Sequence, residues 1–253
     1  MRNVLILGSG RSGTSMVAGT LASAGYFMGD RLYPPRHSNP KGFFEDPEIN
    51  GINEKLISLV TPNRPPIIGK YFFRTRPVYG QRWLSCVPLS VRWKVTREIE
   101  ERIRRLISKE PYCFKDPRFS YTLPVWKPFL KNCCYICVFR DPATTVNSII
   151  KECSEVEYLF SLKINRKIAL KVWELMYTHI LEYHVKEGDW LFIHYDQVLT
   201  KEGLDKIEDF TGAQVDRSFP EKSLKRSKGD FEVDSKLWDI YCRLCELAGY
   251  VPH

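Results

Sequence analysis

An apolar run from Asn3 to Leu7 passes directly into Gly8-Ser9-Gly10-Arg11-Ser12-Gly13-Thr14-Ser15 and then into a helical pattern, from about Thr14 to Ala24, that Gly25 ends. Val17, Leu21 and Ala24 fall at i, i+4 and i+7 of that helix. A buried strand feeding a glycine-rich turn and a helix is the place where backbone N–H groups and the helix dipole make an anion site. Further apolar runs at Tyr112 to Lys115, Cys133 to Phe139 and Trp190 to His194 read as buried parallel strands. Between them lie helical patterns at about Pro47 to Val60, Val95 to Ser108, Pro142 to Lys151, Val156 to Lys186, Lys201 to Thr211 and Ser235 to Leu247. Alternating strands and helices are the α/β signature. In Val95 to Ser108, Glu98-Arg102, Glu100-Arg104 and Glu101-Arg105 are i, i+4 pairs, so its charges read as a solvated face.

Gly29 to Asp46 and Thr61 to Leu89 resist regular assignment, the second carrying five prolines and the aromatics Tyr71, Phe72, Phe73, Tyr79 and Trp83. The expected organisation is one domain over 1–253 with acceptor-binding or lid insertions at about 29–46 and 61–90. The chain's formal charge of +8 is concentrated: Thr61 to Arg97 has no acidic residue and eight basic ones, and the remainder balances at 30 against 30. Cys134-x-x-Cys137 and Cys242-x-x-Cys245 lie in strand and helix patterns without the turns of a zinc knuckle, so buried reduced thiols are expected and no metal site. No apolar stretch approaches the roughly 20 residues of a membrane span, and no secretory signal is read at the start, so a cytoplasmic location is expected.

Several readings compete for the Gly8–Ser15 loop. Gly8, Gly10 and Gly13 fit a dinucleotide fingerprint, with Asp30 as the ribose acid; Gly8 and Gly13 also fit a nucleoside triphosphate loop, except that Thr14 stands where lysine is required. A tight turn that binds nothing is a further alternative. The last reading is that Arg11-Ser12-Gly13-Thr14-Ser15 resembles the phosphosulfate loop of sulfotransferases that use 3′-phosphoadenosine 5′-phosphosulfate (PAPS). After the strand ending at Phe139, Arg140-Asp141-Pro142 with Ser148 eight residues beyond Arg140 resembles that family's 3′-phosphate segment.

The resemblance implies a P-loop NTPase-like sulfotransferase fold of the bacterial type, a three-layer α/β sandwich around a mainly parallel sheet. It implies that Gly10, Arg11, Ser12, Gly13, Thr14 and Ser15 hold the 5′-phosphosulfate, with Arg11 facing the bridging oxygen. Arg140 and Ser148 would hold the 3′-phosphate, and Tyr195 would lie at the adenine. Arg226 or Lys228, in Arg226-Ser227-Lys228-Gly229, would close over the 3′-phosphate. Lys115 falls where cytosolic members carry Lys-x-His, but Pro117 replaces the histidine that serves as base. The run Asn39 to Asp46 resembles the glutamate-bearing segment of bacterial and tyrosyl-protein members, which points to Glu45 as base, with Phe43 and Phe44 expected to desolvate it and raise its pKa. Asp46, Asp116 and His37 are the other base candidates, and Asp46 reads equally as a helix cap before Pro47.

The expected reaction is sulfuryl transfer from PAPS to a hydroxyl of a small-molecule or glycan acceptor, leaving adenosine 3′,5′-bisphosphate (PAP), with Glu45, Arg11 and Lys115 catalytic and no divalent metal required. The alternatives are a P-loop nucleotide or small-molecule kinase, with Asp141 or Asp196 on magnesium, and a nicotinamide module. No nucleic-acid-binding motif accompanies the charge. The basic segment, Arg74, Arg76 and Arg82 in particular, points to an acceptor or carrier that is itself anionic.

Overall fold

The computed structural model describes residues 1–224 and 227–252. In chain order it contains β1 (Asn3–Leu7), α1 (Thr14–Leu21), α2 (Pro47–Val60), α3 (Gly69–Phe72), α4 (Arg97–Ile107), β2 (Cys113–Lys115), α5 (Phe119–Trp126), β3 (Cys133–Phe139), α6 (Pro142–Glu155), α7 (Arg166–His179), β4 (Asp189–His194), α8 (Lys201–Thr211) and α9 (Ser235–Ala248). The strands form an all-parallel sheet in the order β2-β1-β3-β4.

Strand alternation divides the core. Leu5, Leu7, Phe114, Cys137 and Phe139 face one side, where they meet Ile49 and Ile52 of α2, Ile103 of α4, Trp126 of α5, Tyr177 of α7 and Tyr241 of α9. Val4, Ile6, Cys134, Ile136 and Val138 face the other side, against Val17 and Leu21 of α1 and Ile207 of α8. This is the expected three-layer α/β arrangement, with every strand parallel. The chain leaves β1 for β2 on one side and then crosses to β3 on the other, so the β1 and β3 ends face the crevice where such sheets bind ligands.

Three local expectations are corrected. Val156 to Lys186 is not one helix: α6 runs on to Glu155, a short turn spans Glu157–Leu159, and α7 starts only after Asn165, whose side chain caps it by accepting the Ile168 N–H at 2.9 Å. Its end widens by one residue, with the Val185 N–H donating to the Ile180 carbonyl at 3.0 Å. Helix α5 was not read, since it holds Pro124 and is buried nearly all round, which erases its amphipathic period. The charged face of α4 is not merely solvated: Arg102 and Arg105 both reach Glu48 of α2 at 2.8 Å, and Arg104 lies over the Phe129 ring. All eight cysteines are free thiols, four of them buried, while Cys86 and Cys242 are exposed. Among the described residues no helix is long and apolar enough to cross a membrane.

His184, buried behind α5, donates from Nε2 to the Ser120 carbonyl at 3.0 Å, and burial pulls its pKa down to about 3. Unfolding returns it to about 6.5, so below that pH the unfolded chain takes up a proton that the fold refuses. Stability should therefore be retained above pH 6.5 and fall as the pH drops toward 3, losing about 2 kcal/mol between pH 7 and 5. Urea melts of the wild type and of His184→Gln, which keeps the donor, should differ in this slope; parallel slopes would exclude His184 as its source.

Candidate active site

The sheet's C-terminal edge gathers four connections: the loop after β1, Asp116-Pro117-Arg118 after β2, Arg140 after β3 and Tyr195 after β4. The loop after β1 is shaped by its neighbours. A Cβ on Gly8, whose φ is +135°, would lie 2.1 Å from the Val138 carbonyl oxygen, and one on Gly13, φ +99°, would lie 2.6 Å from the Tyr195 ring. Only glycine fits either position. Tyr177 of α7 fastens the loop: its hydroxyl accepts the Ser9 N–H at 3.1 Å, meets Ser12 Oγ at 2.9 Å and donates to the Val138 carbonyl at 2.9 Å. The Ser12 hydroxyl thus serves the loop's interior. Tyr177→Phe should lower stability by about 1–3 kcal/mol through these orphaned buried groups, read as a reduced denaturant midpoint; an unchanged midpoint would mean that water replaces the hydroxyl.

The N–H groups of Gly13, Thr14 and Ser15 open α1 and have no carbonyl one turn earlier to accept them. They border a cleft also lined by Lys41, Arg140, Ser148, Tyr195 and Ser227. Arg140 is only 6% exposed, lies 4.3 Å from the Tyr195 ring centroid and donates to the Ser227 carbonyl at 3.0 Å. Burial draws its pKa down, against weaker support from Tyr195, Asp196 and Asp141. Among the described residues no carboxylate lies within 4 Å of it, so a buried cation faces this cleft without an ion-pair partner. Arg11 adopts φ +71° and sends its guanidinium to Ser148 Oγ (3.2 Å), the Ser38 carbonyl (3.2 Å) and Glu152 (3.4 Å). Lys228 is exposed and does not line this cleft, its carbonyl accepting from Asn147 at 2.9 Å. Arg226 lies outside the described residues.

A second cleft, about 970 Å³ of open space, adjoins the first and shares Arg11, Thr14, Ser15, Asn39 and Glu152 with it. Glu45 stands in it, bonded to the Lys115 ammonium and accepting from Asn50 Nδ2 at 2.7 Å. The expected rise in its pKa is corrected. Burial does push the carboxyl upward, but the charges of Lys115 and Arg118 and the hydrogen bonds from Lys115 and Asn50 outweigh it and hold the pKa below the ordinary carboxylate range. Of the other base candidates, Asp46 caps α2, accepting from Glu48 N–H at 2.7 Å and Arg31 N–H at 2.8 Å. Asp116 is fully buried between Asn53 and Arg118, its pKa raised by burial and by Glu45 despite Arg118. His37 lines the first cleft and not the second.

Two residues that sequence reasoning missed underlie this cleft. Arg118 pairs with Glu54 at 2.7 Å and Asp116 at 2.9 Å, and Glu54 also takes Arg82 at 3.0 Å. Arg118 closes the same short segment as Lys115 and was within reach of the motif; Glu54 lay hidden in an amphipathic helix pattern. The basic segment also behaves differently from expectation. Arg64 donates to the Arg76 carbonyl at 2.7 Å, Arg74 to the Phe160 carbonyl at 3.0 Å and Arg76 to the Asn63 carbonyl at 3.0 Å, while Arg82 is bound to Glu54. Among the described residues no arginine of that run lines either cleft. Asp30, the ribose acid of the nicotinamide reading, is a surface group paired with Lys109, and Asp141 caps α6 through the Thr144 N–H at 2.7 Å.

A family model described as the sulfotransferase family matches residues 3–217. None of the curated proteins searched matches the chain. Among solved structures, the chain is similar to the sulfotransferase domain from the curacin biosynthetic pathway, with TM-score 0.56 and 15% identity over 100% of this chain and 99% of that one. It is also similar to the sulfotransferase domain from the Synechococcus PCC 7002 olefin synthase, with TM-score 0.50 and 15% identity over 99% and 95% of the two chains. A sulfotransferase from Mycobacterium avium matches with TM-score 0.51 and 14% identity over 97% and 76%. At these identities the structural likeness is one of fold.

Proposed function

The chain belongs to the sulfotransferase family, and from that premise we propose that it transfers a sulfuryl group from PAPS to an acceptor hydroxyl. The observation that carries this reading is the meeting of two clefts at Arg11, one with a helix N-terminus and a buried arginine that no carboxylate among the described residues pairs, the other with a buried carboxylate and lysine. The first cleft suits a donor bearing two separated phosphates. The N–H groups of Gly13, Thr14 and Ser15, with Gly10 and Ser12 shaping their loop, hold the 5′-phosphate. Arg140 and Ser148 grip the 3′-phosphate, and Tyr195 borders the adenine. Segments 29–46 and 61–90 of a single domain serve as lid and acceptor wall.

When bound, PAPS supplies the sulfuryl group and a bisphosphate leaving group. Glu45 takes the hydroxyl proton, while Lys115 and Arg11 meet the charge that grows on the leaving oxygen in a loose, in-line displacement. Held below the ordinary range, the carboxylate is ionised when the acceptor arrives, at the cost of lower basicity. Lys115, bonded to Glu45 in the second cleft, couples the base to the charge growing on the leaving oxygen.

Binding separates this reading from its rivals. PAP at a hundredfold excess over its Kd should add about 2.7 kcal/mol of stability, or roughly 5–10 °C in Tm for a chain of this size. ATP with magnesium, and NAD, should add far less. Stabilisation by ATP with magnesium and not by PAP would overturn the assignment in favour of a kinase.

A further inference from the structure

The second cleft is walled by aromatic rings: Tyr33, Phe43, Tyr79, Trp83 and Tyr158 all line it. None of these five belongs to a ring pair among the described residues, although sixteen ring pairs occur elsewhere. Trp83 lies against the phosphate loop itself, since a Cβ on Gly10 would sit 2.5 Å from the indole. Arg36 lies 5.6 Å from the Tyr158 ring centroid. The aromatic wall therefore runs from the cleft mouth to the loop; Trp83 packs into the core and Tyr158 lies under Arg36, while Tyr33, Phe43 and Tyr79 join no ring or cation pair among the described residues.

The polar groups of the same cleft are, by contrast, largely committed to one another. Lys115 and Asn50 bind Glu45, Arg118 binds Glu54 and Asp116, and Glu152 takes Ser38 at 2.8 Å as well as Arg11. A polyol entering here would have to break these buried bonds or leave its own hydroxyls unmatched, either of which is costly. Charge is balanced in the same way, so that among the described residues lining this cleft only Arg36 is a cation without a carboxylate partner for an anionic acceptor to meet. Flat rings, on the other hand, gain from offset or edge contact with such aromatic side chains beyond the gain from burial.

Resting on the donor reading above, we infer that the acceptor is a small aromatic alcohol, a phenol or a hydroxylated fused ring, which enters between these rings and presents its hydroxyl to Glu45. In the reaction the phenolic oxygen bonds to sulfur and the bond from sulfur to the bridging oxygen breaks. Its electron pair leaves with PAP, and the phenolic proton passes to Glu45. The product is an aryl sulfate ester.

The test uses the full chain with PAPS and three acceptors: 2-naphthol, cyclohexanol and N-acetylglucosamine. 2-Naphthol should exceed the other two in kcat/KM by about 100-fold, and calorimetry should detect its binding to the PAP complex. Tyr79→Ala and Phe43→Leu should each raise the 2-naphthol KM about tenfold, with PAP affinity unchanged because neither side chain lines the donor cleft. If PAP binds but cyclohexanol or N-acetylglucosamine is sulfated as well as 2-naphthol, or if 2-naphthol neither binds nor reacts, the aromatic assignment falls and the donor reading stands. If PAP itself does not bind, the donor reading falls and takes this inference with it.

Discussion

Glu45→Gln should lower kcat by about 10²–10⁴-fold, the range for removal of a positioned general base, while PAP affinity stays within about twofold. The substitution is conservative in shape: a glutamine oxygen can still accept from Lys115 or Asn50, which now bind the carboxylate. What disappears is the ability to take a proton. The same pairing sets the pH dependence. The ionised carboxylate is the active form, and Lys115 and Arg118 hold its pKa below the ordinary range. The acid limb of kcat/KM should accordingly fall below the usual carboxylate pKa, with activity lost as pH drops through it, and this limb should be absent from the residual activity of the variant. Steady-state kinetics across pH, alongside PAP titration, measure both effects. Wild-type kcat in the variant would remove Glu45 from the mechanism.

Arg140→Met should raise the KM for PAPS by about 10²–10³-fold, the equivalent of two charge-assisted hydrogen bonds of roughly 1.5–2 kcal/mol each. Methionine retains apolar volume beside Tyr195, so the ring contact at 4.3 Å is only partly forfeited. The discriminating comparison is with adenosine 5′-phosphosulfate, which lacks the 3′-phosphate. Wild type should use it poorly, and the variant should use it no worse than wild type does. Stability should not suffer, because the variant removes a buried cation that has no carboxylate within 4 Å among the described residues. If the variant loses both donors equally, Arg140 acts on the loop or on Tyr195 rather than on the 3′-phosphate.

The elements of the proposed donor side were legible in the sequence because they are encoded locally. A strand, a glycine turn and a helix start follow one another within Leu7 to Ser15, and the arginine at the end of β3 falls beside them once β1 and β3 pair. The acceptor side was legible only in part. Glu45 and Lys115 are 70 residues apart, and nothing local shows that they bond, so the Glu45 pKa, read from Phe43 and Phe44 alone, was expected to move the wrong way. The excess charge of Thr61 to Arg97 suggested an anionic ligand, yet Arg64 and Arg76 bond the carbonyls of Arg76 and Asn63 within this proline-rich segment and Arg74 bonds the Phe160 carbonyl beyond it. Composition cannot distinguish an arginine that waits for a ligand from one that satisfies the backbone. Helix α5 escaped because periodicity vanishes when every face is covered.

The two clefts also differ in what supports them. The proposed donor contacts hang from strand ends and helix starts, whereas Tyr33 and Phe43, then Tyr79 and Trp83, then Tyr158 come from three connections outside the sheet. Selection or design can therefore recolour the exposed positions of those connections, Tyr79 among them, while Trp83, Leu84 and Leu159 keep their places in the core. Descendants of this chain could acquire new acceptors by substitutions there alone, and a library confined to these three connections is the economical place to look for them.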